Sequence, residues 1–353
     1  MNAGTYEKGR ATIATRKDVA KMAGVSEATV SRVFSEQDAV KEHTKQKVLT
    51  AAKTLNYYPN VMAKNFAKRK SGNIGVILPY LPKVKLFSVY YFSEILNGIG
   101  EAIEKEGYDM LLLFQRVGQP YDYKKYFLSH KIDAAIILGS KDSHEERDSL
   151  RELRDASFPF CLVNQHFDGE QFCEIDAEHV AGSYTAVTHL IEQGCQNIAF
   201  LNGPLAYSNS LDRLKGYQKA LQDHGFARQE QAVFYGQYSL TSGYKAADDL
   251  LSGQLYDGIA VANDRMAIGL MQRMKELGIR PGADIAIVGY DDSDASAMCD
   301  PALSSVHVPF FEMGKRSVQQ LVNQLSAPQM KLFQEKLETR LLIRESSQRN
   351  QGN

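Results

Sequence analysis

Cysteine is scarce in this 353-residue chain: Cys161, Cys173, Cys195 and Cys299 are scattered, with no C-x-x-C pair. That spacing argues against zinc ligation or a disulfide framework and for reduced, structural thiols. No metal and no cofactor are expected. No apolar run reaches membrane-spanning length, and the first ten residues, Met-Asn-Ala-Gly-Thr-Tyr-Glu-Lys-Gly-Arg, lack the apolar core of a signal peptide, so the expectation is a cytoplasmic protein without membrane contact. Catalytic signatures are missing too. There is no G-x-S-x-G elbow and no P-loop, and Gly98-Ile99-Gly100 lacks the third glycine of a dinucleotide fingerprint. His166 and His179 sit at no distinctive Cys-His or Ser-His spacing, so both read as surface or packing histidines. An enzyme is disfavoured and no catalytic residue is assigned.

The overall charge of −1 conceals a strong asymmetry. Residues 1 to 70 hold 14 Lys or Arg against 6 Asp or Glu, whereas the rest of the chain holds 27 against 36. A basic head supplies the salt-sensitive attraction to phosphate that a DNA reader needs, and an acidic body does not. Within the head, residues 17 to 33 carry two short helices around one glycine. Ala20 is small where the helices cross, Gly24 suits the positive φ of the turn, and Val30 packs the second helix on the first. Thr15-x-x-Asp18 is a capping box for the first helix, and Ser26 caps the second. Glu27, Ala28, Thr29, Ser31 and Arg32 then face solvent or a major groove. A third helix is predicted over about 43 to 56, with Val48, Leu49, Ala52 and Leu55 on one face. Asn56 to Asn60 ends it, and Val61 to Phe66 forms a short further segment before Lys68-Arg69-Lys70 and Ser71-Gly72.

From Asn73 onward, short apolar runs alternate with amphipathic stretches. Strands are predicted at Ile74 to Leu78, Met110 to Phe114, Ala134 to Leu138, Phe160 to Val163, Ile198 to Leu201, Ile259 to Val261 and Ile285 to Val288. Helices are predicted near 92 to 106, 177 to 193, 211 to 224, 264 to 277 and 310 to 325. The fold class is therefore α/β: a small all-α helix-turn-helix head on a doubly wound parallel-sheet body, read as two lobes with a crossover from Val163-Asn164-Gln165 into Asp176 to His179. The domain boundaries that follow are 1–58 for the head, 59–72 for the linking hinge, 73–348 for the body and 349–353 for a tail. Ligands in such folds sit beyond the carboxyl ends of the strands. Asn263-Asp264, Asp291-Asp292, Asp176 and Arg213 are placed there, with Tyr91, Phe92, Tyr207 and Tyr238 available to stack on a sugar.

These residues give the chain a close resemblance, over nearly its whole length, to the LacI family of bacterial transcription regulators. Asp18-Val19-Ala20, Val25-Ser26 and Ala28 to Val33 match its DNA-binding signature, and Tyr58-Pro59-Asn60 opens its hinge. Asn202-Gly203-Pro204, Arg213-x-x-Gly216, Ala262-Asn263-Asp264-x-Met266-Ala267-x-Gly269, Val288 to Asp292 and Arg344-Glu345-Ser346 follow in family order. The resemblance implies a homodimer that reads a pseudo-palindromic operator in double-stranded DNA, and a body like periplasmic sugar-binding proteins whose cleft takes a small effector. It implies DNA contacts from Thr15, Lys17, Ser26, Glu27, Ala28, Thr29, Ser31 and Arg32, and from Asn60, Lys64 and Phe66 of the hinge, with Phe66 where a leucine usually wedges into the minor groove. Arg213, Asp291 and Asn263 match effector ligands and Tyr238 an aromatic platform, with Tyr91 and Phe92 completing the expected set. The implied function is repression of carbohydrate-utilisation genes under a sugar-like effector; corepression by a metabolite or phosphoprotein is the alternative. Three departures stand out. Between Pro79 and Phe92 the chain is about six residues longer than the family spacing, Lys41 replaces the usual serine cap of the third helix, and no leucine heptads follow Arg344 to support a tetramer.

Overall fold

The computed structural model describes residues 14–34, 40–58, 70–82, 85–116, 118–226, 232–252, 256–327 and 331–348. They form two units, Met1–Lys70 and Ser71–Asn353. In the first, helices α1 (Arg16–Ala23), α2 (Glu27–Phe34) and α3 (Glu42–Thr54) enclose a core of Val19, Ala20, Val30, Val33, Val48, Ala51 and Ala52. The turn works as its residues require. Gly24 takes φ 65°, and its N–H donates back to the last carbonyls of α1. Thr15 and Asp18 close a reciprocal capping box, and the Ser26 hydroxyl accepts from the Thr29 N–H at 3.1 Å. Lys41 provides no side-chain cap for α3.

The second unit holds two six-stranded sheets. The first contains β1 (Asn73–Tyr80), β2 (Asp109–Arg116), β3 (Ala134–Leu138), β4 (Phe160–Val163), β5 (Glu174–Ala177) and β11 (Gln334–Leu337), in the order β11-β5-β4-β3-β1-β2. The second contains β6 (Ile198–Asn202), β7 (Val233–Tyr235), β8 (Gly258–Val261), β9 (Ala286–Asp291), β10 (Ser304–His307) and β12 (Arg340–Leu342), in the order β12-β10-β9-β8-β6-β7. Every pairing is parallel except β10 with β12. Helices α4 (Tyr90–Glu106), α5 (Lys124–Leu128), α6 (His144–Asp155), α7 (His179–Glu192), α8 (Ser208–Asp223), α9 (Leu240–Leu251), α10 (Asp264–Glu276), α11 (Asp294–Met298) and α12 (Phe310–Ser326) make the crossovers.

The polypeptide passes between lobes three times, at Glu178, at Val308-Pro309 and at Glu338-Thr339. The predicted crossover is therefore corrected at its start: its Asp176-to-His179 end contains the passage, whereas Val163-Asn164-Gln165 stays in the first lobe. Asn164 turns back to donate to the Ile175 carbonyl, and β5 pairs with β4 before the chain leaves the first lobe. All seven predicted strands are present; those missed are short or polar, such as Glu174-Ile175-Asp176-Ala177.

Candidate functional site

In the head, Lys17, Ser26, Glu27, Ala28, Ser31 and Arg32 are exposed, as is Thr15, while Thr29 is half-buried. The Glu27 carboxylate accepts from Arg16 Nε at 3.1 Å, so α1 holds a side chain that α2 would otherwise present freely. Ser26 and Thr29 hydroxyls also bond each other, at 2.9 Å. Ala28, Ser31 and Arg32 remain outward on the second helix. Asn60, Lys64 and Phe66 lie outside the described residues.

In the body, a cavity of about 360 Å³ opens between the lobes at the carboxyl ends of both sheets. Tyr91, Phe92, Arg213, Tyr238, Asn263 and Asp291 all line it. Arg213 is central. It is 3% exposed, donates from Nη1 to the Ala262 carbonyl at 2.7 Å, and lies with its guanidinium 4.1 Å from the Tyr290 ring centroid. Its Nη2 is 4.0 Å from Asp291 Oδ1, and its Nε has no partner among the described residues. Burial pushes the Asp291 carboxyl well above the usual carboxylate range, against the opposing pull of Arg213. The Tyr238 hydroxyl is shared by Ser210 and Asn209, and the missing Cβ of Gly203 leaves room for its ring. Asn263 has a second duty, since its Oδ1 caps α10 by accepting from the Met266 N–H at 3.0 Å.

Several expected positions move. Arg213 stands in the second turn of α8, because that helix starts at Ser208 and not near residue 211 as predicted. Asp176 lies within β5 and is fully buried, Asp264 is held by Ser293 and Ser305, and Asp292 pairs with Arg344 at 2.6 Å and His307 at 3.1 Å. None of these three lines the cavity. Carboxylates inside a strand or at a helix start can serve sheet edges and caps, and spacing alone does not separate those uses from ligand contact. After Pro79, β1 ends at Tyr80 and a 3₁₀ turn spans Leu86–Ser88; Leu81 and Val89 line the cavity. Lys141, Gln165, Asn209, Gln237 and Arg265 also line it, unannounced by any motif.

The lobes are tied together beside the cavity. The Asp142 N–H donates to the Ala206 carbonyl at 2.8 Å, Ser208 N–H to Gln165 Oε1 at 3.0 Å, and Asn209 Nδ2 to the Asn164 carbonyl at 3.3 Å. His166 adds a charged tie: its Nδ1 is 2.9 Å from Asp176 of the first lobe and 3.8 Å from Asp212 of the second. Ligand atoms of these three residues lie within 4.8 Å of one another. Hydrogen bonding to Asp176 raises the His166 pKa, with Asp176 and Asp212 charge assisting against burial. A raised histidine pKa contributes stability fully below the unfolded value of about 6.5 and loses it as pH rises through the folded value. The melting-temperature advantage of wild type over His166→Gln is thus expected to shrink as pH rises above about 6.5. A difference that grows with pH would refute the tie. His179 has the opposite slope, since burial holds it neutral with a pKa of about 3, and burial acts on it in both proteins.

Residues 15–60 match the family described as bacterial regulatory proteins, lacI family, and residues 187–347 match a periplasmic binding protein-like domain. The probable HTH-type transcriptional repressor ExuR of Bacillus subtilis (strain 168) is 31% identical over 95% of this chain and 98% of its own length. The lac repressor dimer bound to operator and the anti-inducer ONPF superposes with a TM-score of 0.85 at 29% identity, covering 95% of this chain and 99% of that one. The complex of the transcriptional regulator CelR with cellobiose gives 0.73 at 29% identity, covering 95% and 100%. Among the described residues no helix is long and apolar enough to cross a membrane.

Proposed function

Because this chain belongs to the LacI family of bacterial regulatory proteins and is a DNA-binding transcription regulator, we propose that it is a cytoplasmic homodimeric repressor of carbohydrate-utilisation genes, controlled by a sugar-like effector held between its lobes. The observation that carries the effector half is the cavity itself. A buried guanidinium and a carboxyl face each other across 4.0 Å, with amides of Asn209 and Asn263 and the ring of Tyr238 beside them. Neighbouring hydroxyls of a sugar ring can approach from the cavity, one accepting from the guanidinium and one donating to the carboxyl, and its apolar face suits the aromatic wall. A regulator rather than an enzyme accounts for both charge halves of the sequence. An effector bound by residues of both lobes biases the angle between them, and the hinge of residues 59–72, with Asn60, Lys64 and Phe66 offered to the minor groove, passes that bias to the heads. Release from DNA on binding is the primary reading, and corepression the second.

DNA reading is assigned first to Arg32, exposed on α2 and suited to a bidentate guanine contact. Arg32→Ala is expected to cost about 1 to 3 kcal/mol of operator binding in fluorescence anisotropy, with the head's circular dichroism unchanged. Retention of the wild-type preference for operator over random DNA would remove Arg32 from the reading set. The regulatory claim is tested by adding sugars during the same titration: at least one should shift the operator curve and raise the melting temperature of the protein.

A further inference from the structure

The cavity is cationic inside an acidic body. Lys141, Arg213 and Arg265 line it, and Asp291 is its one acidic lining residue among those described. The rest of the chain beyond residue 70 carries nine more acidic than basic side chains, so this local excess runs against the composition around it. Arg213 is more than nine-tenths buried, has an Nε without a partner among the described residues, and lies 4.0 Å from the nearest Asp291 oxygen. Lys141 follows β3 in the first lobe and Arg265 lies in the first turn of α10 in the second. Among the described residues neither side chain makes an ion pair within 4.0 Å; the charge of Arg265 acts on Asp291 from farther away, and the Lys141 ammonium lies 5.8 Å from the Tyr207 ring centroid. Helices α4, α8, α9, α10 and α12 also begin at this cavity, where Val89, Tyr207, Ser239, Asn263 and Phe310 line it. Their dipoles add positive potential, although this comes with the architecture and would meet a neutral sugar equally.

We propose that the effector of this chain is an acidic sugar, its carboxylate or phosphate facing Lys141 and Arg265 from the two lobes while Arg213 and Asp291 hold its hydroxyls. The proposal rests on the sugar-effector reading above and narrows it. A neutral sugar would take the two outer cations partly out of water as the lobes close, without supplying a counter-charge, whereas an anion replaces lost hydration with charge-assisted hydrogen bonds. Placing one cation on each lobe also gives the anion a reason to favour the closed arrangement, which a ligand must do to act as a switch.

The full-length protein is titrated calorimetrically with D-glucose, D-glucuronate and D-glucose 6-phosphate, and with the corresponding galactose series. The expected result is that an acidic member binds at least about tenfold more tightly than its neutral parent and weakens as salt is raised. Which acid does so separates a carboxylate from a phosphate ligand. K141Q and R265Q should each erase most of that preference while K141R and R265K retain it, with melting temperatures of the ligand-free variants as the fold control. A neutral parent that binds as tightly as its acids, or a preference unmoved by K141Q and R265Q, overturns the proposal and leaves the sugar reading standing. Binding of neither neutral nor acidic sugars overturns both.

Discussion

Arg213→Ala should leave a repressor that occupies its operator and no longer answers its effector. The guanidinium is buried, its Nη1 bond to the Ala262 carbonyl fixes its plane, and Tyr290 stacks against it, so the group is preorganised and pays little entropy on binding. Truncation removes charged donors from the ligand and leaves the Asp291 carboxyl facing a void. Losing hydrogen bonds to a charged group costs about 1.5 to 3 kcal/mol each, so effector affinity should fall at least about a hundredfold. The folding cost is expected to be smaller. Burial already pushes the Asp291 carboxyl upward, and without Arg213 it can take a proton instead of standing as an unpaired charge. Calorimetry should therefore show lost binding, while operator anisotropy without effector stays within a few-fold of wild type. Asp291→Asn keeps the shape and two hydrogen-bonding atoms, so its loss should be smaller than that of Arg213→Ala. An Arg213→Ala protein with effector affinity within about threefold of wild type would mean that the ligand sits elsewhere.

What could be read in the sequence follows the range over which the physics acts. The helical hairpin is local: one positive-φ glycine, two caps and a few small or branched residues determine it within residues 15 to 33, and Gly24, Thr15, Asp18 and Ser26 serve as their chemistry indicates. Buried parallel strands are apolar on both faces and announce themselves likewise. The second lobe's share of the cleft was visible because Arg213, Asn263 and Asp291 belong to motifs and Tyr238 matches the aromatic platform that the resemblance implies. Elements whose stabilisation comes from distant partners were not visible. Strand β5 buries Glu174 and Asp176, and Asp176 is satisfied by His166 ten residues earlier, so its pattern looks like a loop. Helix α6, His-Glu-Glu-Arg-Asp-Ser-Leu-Arg-Glu-Leu-Arg-Asp, offers only Leu150 and Leu153 as buried apolar residues, while Glu146 is buried against Tyr123. Lys141 and Arg265 illustrate the same limit at the site. Each is an ordinary surface-type residue in sequence, and only the closure of two lobes brings both to one cavity.

Gly98 offers the other large effect, and its meaning is steric. It fails as part of a dinucleotide fingerprint, yet in α4 it lies where α12 crosses so closely that a Cβ would overlap the Phe311 carbonyl; reciprocally, a Cβ on Gly314 of α12 would overlap the Ile95 carbonyl. The obstacle in both cases is backbone, which no rotamer change relieves. Gly98→Ala must push the two helices apart, and overpacking of this kind costs about 1 to 3 kcal/mol, occasionally more. Gly100, two residues farther along the same helix, is the internal control. Its added Cβ would meet only Met110 Cε at 3.9 Å, so Gly100→Ala should be neutral or gain up to about 1 kcal/mol from helix propensity. Urea unfolding should thus move the midpoint in opposite directions for two glycines separated by one residue. The separation also reaches the cavity, because both helices begin there: Tyr91 and Phe92 open α4, Phe310 opens α12, and the Tyr91 and Phe310 rings meet edge to face at 5.3 Å. Gly98→Ala is therefore expected to weaken effector binding as well, whereas Gly100→Ala leaves it intact. Equal midpoints for the two variants would show that α4 and α12 can part without loss, and the aromatic wall they carry would then need another support.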